Sequence, residues 1–169
     1  LPQARRLLWA LGLGTMGFTM QDILLEPYGA QVLGLSVSGT TMLTAIFAGG
    51  MVLALLITAR SLAKGTDPIL IASIGVLFGV AAFSLVCLSA LVDSSSLFQL
   101  GVVLIGFGHG LFAVGMLTAA MMFGGKKMVG LTLGAWGAVQ ATASGVAVFS
   151  GGAIRDLVSS WGEVGLLGM

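Results

Sequence analysis

Apolar residues crowd this chain into five long segments, near positions 7–26, 37–60, 69–92, 98–123 and 129–151, with short polar breaks between them. Each segment reaches the roughly 20 residues of helix that the hydrocarbon core of a bilayer requires. In lipid, a spanning segment satisfies its backbone hydrogen bonds within itself or closes into a barrel. A barrel would show ~10-residue stretches of alternating polarity, and none is present. The pattern predicts an all-α integral membrane protein with five transmembrane helices, forming one transmembrane domain over 1–169.

The breaks read as turns. Pro27-Tyr28-Gly29 ends the first helix, and the stretch to Ser38 makes a loop. Lys64-Gly65-Thr66-Asp67-Pro68 is a stop and restart, with Asp67 as N-cap and Pro68 at the first helical position. Asp93-Ser94-Ser95-Ser96 and Gly124-Gly125-Lys126-Lys127 predict two further short turns, the first with a cap for the fourth helix. Beyond Gly151-Gly152, Ile154, Leu157, Val158 and Trp161 alternate with Arg155, Asp156 and Glu163. That segment, 152–169, is expected to lie along the outer interface, with Trp161 at headgroup depth.

Basic residues orient these segments. Arg5 and Arg6 precede the first, Arg60 and Lys64 follow the second, and Lys126 and Lys127 follow the fourth, so six of the seven fall on one side. The positive-inside rule makes that side cytoplasmic. The N-terminus is expected inside and the end of this chain outside. The apolar run after Arg6 continues into Gln21, Asp22 and Glu26 without a small-residue cleavage site, which predicts a retained span rather than a signal peptide. The start at Leu1 lacks a methionine, so the chain is expected to be processed or a piece of a longer one.

Composition sharpens the class. The chain has 169 residues, 57% hydrophobic and 8% charged, against about 25% charged in a soluble domain. No basic tract of the kind that grips nucleic acid is present. The single cysteine, Cys87, excludes an intramolecular disulfide and reads as a small hydrophobe. The 27 glycines suit close helix contacts. Small residues four apart recur at Gly75/Gly79, Gly106/Gly110, Gly130/Gly134 and Ala141/Gly145, a spacing that lets backbones approach across a helix pair.

Few side chains offer chemistry. Gln21, Asp22 and Glu26 lie at the outer end of the first segment, with Asp22 ~24 Å of helix beyond Arg6 at 1.5 Å per residue. Such residues face a bundle interior or sit in the headgroup layer and brace the loop. His109, the only histidine, lies near mid-membrane between Gly108 and Gly110. It needs either a hydrogen-bond partner from another helix or a metal, including the central magnesium of a chlorin, and the flanking glycines leave room for a flat ring or a helix. Gln140, midway along the fifth segment, can bridge helices or contact a ligand. No nucleophile and base pair, phosphate loop or multi-ligand metal site is recognisable, so an enzyme is not expected.

Several runs resemble a known family. Met20-Gln21-Asp22-Ile23-Leu24-Leu25-Glu26-Pro27-Tyr28-Gly29 is similar to the signature of the PucC/LhaA family, the bacteriochlorophyll-delivery branch of the major facilitator superfamily. Ile105-Gly106-Phe107-Gly108, Leu111-Phe112-Ala113-Val114-Gly115, Leu117-Thr118-Ala119-Ala120-Met121, the run Leu133 to Thr142 and Gly151-Gly152-Ala153-Ile154-Arg155-Asp156 agree in sequence and order. The resemblance covers nearly the whole chain.

It implies twelve spans in two six-helix halves with both ends cytoplasmic, of which this chain would supply spans seven to eleven, the second half lacking its last helix. It further implies an assembly factor or accessory subunit of the light-harvesting apparatus of a purple phototrophic bacterium. The partners would be antenna polypeptides, the reaction centre and membrane lipids. The cofactor would be bacteriochlorophyll, with carotenoid or lipid beside it, and Gln21, Asp22, Glu26 and Gln140 would form the pigment or partner surface. His109 stands where relatives are expected to carry a small residue. The alternatives are half of a facilitator-type transporter and a purely structural subunit. Arg60 has no acid beside it before Asp67, unlike the gating loop of many facilitators, and alternating access needs two repeats.

Overall fold

The computed structural model describes residues 2–21, 25, 36–92 and 94–163. The described residues form four helices and no strand: α1 (Pro2–Thr19), α2 (Val37–Ala63), α3 (Pro68–Val92) and α4 (Ser95–Glu163). Three stretches are long and apolar enough to cross a membrane, Thr41–Ala63, Pro68–Val92 and Ser95–Gly124. Of the five expected spans, the second, third and fourth are therefore met in length and polarity. The first is represented by the 18 residues of α1, which take Arg5 and Arg6 into the helix instead of leaving them ahead of it. The loop around Pro27 lies outside the described residues.

The ends of the central helices follow their local chemistry. The Ser36 hydroxyl accepts from the Gly39 backbone N–H at the start of α2. At its other end, Gly65 adopts φ +84, the left-handed conformation that only glycine takes without penalty. Thr66 N–H donates to the Ser61 carbonyl at 3.1 Å and Gly65 N–H to that of Leu62 at 2.9 Å, the double bond that closes a Schellman C-cap. One residue later the Asp67 carboxylate accepts from Ile69 N–H at 2.8 Å, and Pro68 opens α3. The expected stop and restart over 64–68 is thus built atom for atom. Ser94 caps α4 by accepting from Leu97 N–H at 3.4 Å.

The expected turn over 124–127 takes a different form. No coil interval separates the residues before it from those after it, so α4 is a single element of 69 residues, about 100 Å long if it were straight. It is not straight. A Cβ at Gly124 would collide with the Thr132 hydroxyl and lie 3.1 Å from the Thr132 Cβ, although positions eight apart on a straight helix are about 12 Å apart. Phe112 and Val139 both reach the same turn of α1, at Gly14 and Gly12. The chain therefore folds back near Gly124 and gives α4 two arms side by side. At Gly151-Gly152, by contrast, the helix does not end; the second arm stays helical through Glu163, with Ile154, Leu157 and Val158 exposed along it.

Among the described residues, each of the other helices packs on α4 and barely on one another. Side-chain-free contacts seat α2 and α3 on its first arm. A Cβ at Gly106 would run into the Phe47 carbonyl, and one at Gly110 would lie 2.7 Å from the Ala54 Cβ, so both glycines face α2. A Cβ at Gly75 would lie 2.6 Å from the Gly108 carbonyl, one at Gly108 2.7 Å from the Gly75 carbonyl, and one at Gly115 2.7 Å from the Pro68 carbonyl, which ties α3 to the opposite side. Gly130 and Gly134 differ from the expectation of close approach: a Cβ at either meets nothing within 4 Å. The main buried cluster is Leu11, Phe18, Ala72, Ala82, Ile105, Phe112 and Met116, with smaller ones at Leu43, Phe98 and Val102 and at Ala54, Ile71 and Leu111. Outside it, Leu77, Leu91, Met122 and Phe149 are more than two-thirds exposed. A surface of that kind is costly in water and ordinary in lipid, and the chain is a multi-pass membrane protein.

Candidate functional site

The polar residues singled out in the sequence converge only in part. Phe18, near the end of α1, is the pivot. Its ring lies flat against the His109 imidazole, centroids 5.1 Å apart and planes 9° apart. It also tilts against Phe112 at 5.6 Å, and a Cβ at Gly79 of α3 would come within 2.8 Å of its ring. Phe47 of α2 approaches the imidazole from another side at 5.9 Å, inclined by 50°. His109 thus sits where α1, α2 and the first arm of α4 meet.

Gln21 lies three residues after Phe18, only 2% exposed, and its side-chain carbonyl has no hydrogen-bond partner. The Nδ1 of His109 is enclosed and equally unpartnered. Each unmet group costs on the order of 1–3 kcal/mol when buried. Two unmet polar atoms, one on the ring stacked against Phe18 and one a turn further along the chain, mark the end of α1 as unlike an ordinary apolar core. Asp22 and Glu26 lie outside the described residues. Gln140 is half-buried on the second arm, away from His109 in sequence but one turn before Ser144. Ser144 shares a hydrogen bond with Thr19 at 3.3 Å, which pins the second arm to the end of α1.

The fit of a chlorin at His109 follows from these neighbours. The glycines beside it do not open space for a ring; they are consumed by helix contacts, Gly106 and Gly110 with α2 and Gly108 with α3. The enclosed Nδ1 leaves no approach for a magnesium ion, so only Nε2 is available to such a ligand. Among the described residues, no three His, Cys, Asp or Glu side chains gather to hold a metal ion.

Larger spaces flank α1 instead. A cleft of about 440 Å³ opens below the reversal, between Leu7 and Leu11 of α1 and Phe123, Met128 and Trp136 of α4. The Trp136 indole N–H at its wall is enclosed and has no acceptor. A second, more open groove of about 500 Å³ runs between α1 and the second arm, from Arg5 to Met16 on one side and from Ala138 to Val146 on the other. Both exceed the lower limit of typical small-molecule sites, about 300 Å³.

Sequence reasoning passed over Phe18, Phe47, Thr19 and Ser144. The phenylalanines carry no signal, because an aromatic residue in an apolar run reads as packing. The other two had one: Ser144 extends the four-residue stripe of Trp136 and Gln140, and Thr19 is a hydroxyl one turn before the outer polar cluster.

The comparisons with known proteins now bear on this arrangement. The family model described as PUCC protein matches residues 1–167. Protein PucC of Rhodovulum sulfidophilum is 50% identical over 157 residues, which is 93% of this chain and 35% of the relative. Protein PucC of Cereibacter sphaeroides is 45% identical over 150 residues, 89% of this chain and 33% of the relative. The bacteriochlorophyll synthase 44.5 kDa chain of Rhodobacter capsulatus is 29% identical over 170 residues, covering 93% of this chain and 38% of that protein. The chain therefore spans about a third of the length of the curated relatives it matches. No solved structure matches it. With one family model matching almost end to end and PucC proteins at half identity, this chain belongs to the PUCC protein family.

Proposed function

We propose that this chain serves the assembly of the photosynthetic apparatus, as a membrane factor without catalysis of its own that contacts light-harvesting antenna polypeptides and handles bacteriochlorophyll. The observation that carries the reading is the family match over residues 1–167, reinforced by a relative named for bacteriochlorophyll synthase. The helices add support. Their outward faces are apolar, as contact with single-span antenna helices requires, and the clefts beside α1 are wide and lined with aliphatic side chains. In this reading the chain is the second half of a facilitator-type architecture, with its N-terminus in the cytoplasm and its membrane the intracytoplasmic photosynthetic membrane. Gln21, Gln140 and the Nε2 of His109 supply polar contacts to pigment or partner.

The reading is tested by isolating the protein in mild detergent from phototrophically grown cells that make it. Antenna polypeptides and a near-infrared pigment band are expected to co-purify. Absence of both would remove the proposal. The purely structural alternative draws on the aromatic enclosure of His109, which is typical of a packed side chain. It predicts that His109→Leu leaves pigment content unchanged, whereas a ligating His109 predicts loss of bound pigment.

A further inference from the structure

The groove between α1 and the second arm of α4 has a polarity gradient along its length. Arg5 stands at one end, exposed and without a carboxylate partner among the described residues. Trp9, 67% exposed, follows one turn later. From there the walls are mainly apolar, with Leu13 and Met16 on α1 and Val139 and Val146 on α4, and the one hydroxyl among them, that of Thr142, donates to the Ala138 carbonyl. From Arg5 to Met16 the groove follows eleven residues of helix, about 16 Å at 1.5 Å per residue. One leaflet contributes about half of the roughly 30 Å hydrocarbon thickness, so the groove is one leaflet deep. Cation, interfacial indole and apolar trough follow in the order of lipid phosphate, glycerol ester and acyl chain.

We infer that this groove holds one acyl chain of an anionic glycerophospholipid, with the lipid phosphate against Arg5. The guanidinium fork suits a phosphate in two-point contact, and an unpaired arginine at the mouth discriminates against a headgroup whose own cation neutralises the phosphate. The site is separate from the junction at His109, since none of its lining residues belongs to that junction.

The test uses the full chain reconstituted in vesicles that contain a trace of phosphatidylglycerol or phosphatidylcholine bearing a photoreactive group mid-chain, with labelled peptides identified by mass spectrometry. Labelling of the stretches 8–16 and 138–146 is expected to be severalfold stronger with phosphatidylglycerol. Arg5→Gln should lower that preference about fivefold, the effect of a single basic side chain near a lipid surface. Arg155→Gln, exposed at the far end of α4, should leave it unchanged. Ala138→Trp, at an exposed position of the groove wall, should suppress labelling by both lipids. Equal labelling by the two lipids, or a preference untouched by Arg5→Gln, overturns the inference. So does an unlabelled groove, which would mean that a protein segment covers it.

Discussion

Phe18 lies parallel to His109, ring on ring at 5.1 Å, and this contact joins the end of α1 to the first arm of α4. The imidazole gains an aromatic face but no hydrogen bond at Nδ1. The stacked imidazole behaves there as a flat plate carrying one unmet polar atom.

His109→Leu is therefore expected to keep the fold and to raise or hold thermal stability in detergent, by up to about 1 kcal/mol, because it removes an unsatisfied nitrogen. His109→Asp places a carboxylate among Phe18, Phe47 and Phe112 and is expected to prevent recovery of folded protein. Comparison of melting midpoints of wild type and His109→Leu checks the first outcome, and detergent-soluble yield checks the second. A drop of several degrees for His109→Leu would reveal a bond at this nitrogen.

Glycines on the two arms of α4 should respond with opposite sign. Gly106→Ala drives a methyl into the Phe47 backbone, which cannot retreat as a flexible side chain can, and is expected to cost about 1–3 kcal/mol. Gly134→Ala meets open space and is expected to gain roughly 0.5–1 kcal/mol from helix propensity. Paired thermal or denaturant melts of the two variants decide it. Destabilisation by Gly134→Ala in the purified chain would contradict the open environment found there.

Phe112 is 4% exposed and touches both Phe18 and the glycine face of α1 at Gly14. Phe112→Ala is expected to cost about 3–5 kcal/mol, the usual penalty for an emptied aromatic site. Because α1 depends on this contact, its end should become accessible first. Proteolysis or hydrogen exchange at 10–19 should rise more than at 70–85.

The bond between Thr19 and Ser144 joins α1 to the second arm. A double-mutant cycle of Thr19→Val and Ser144→Ala is expected to give a coupling of about 0.6 kcal/mol, the average for such bonds within membrane bundles. A coupling indistinguishable from zero would mean that each hydroxyl finds another acceptor when its partner is removed.

The stop at Lys64-Gly65 and the restart at Asp67-Pro68 were legible in the sequence because their causes are local: a left-handed glycine, a short carboxylate and a fixed proline φ. The reversal near Gly124 was legible in place but not in form, since glycine and lysine mark a break and do not say whether the backbone stops bonding. The use of the glycines was half legible. Spacing of four predicts closeness, yet Gly130 and Gly134 have the same spacing as Gly106 and Gly110 and face nothing. Which face of a helix meets a neighbour depends on tertiary arrangement when every face is apolar, as it is along α2 and α3. The aromatic enclosure of His109 was invisible for the same reason, as it joins residues from three elements.

The radial plan, with α1, α2 and α3 each resting on α4 and scarcely on one another, carries a consequence for biosynthesis. Among the described residues, α1, α2 and α3 are made first and meet their main packing surface only when α4 follows. The backbone notches at Gly50 and Gly75 are filled only when the stretch from Val103 to Phe112 emerges. Assembly is then a late, concerted closure, so a chain arrested ahead of α4 is expected to be taken by membrane proteases, whereas one arrested after Gly124 has already gathered α2 and α3.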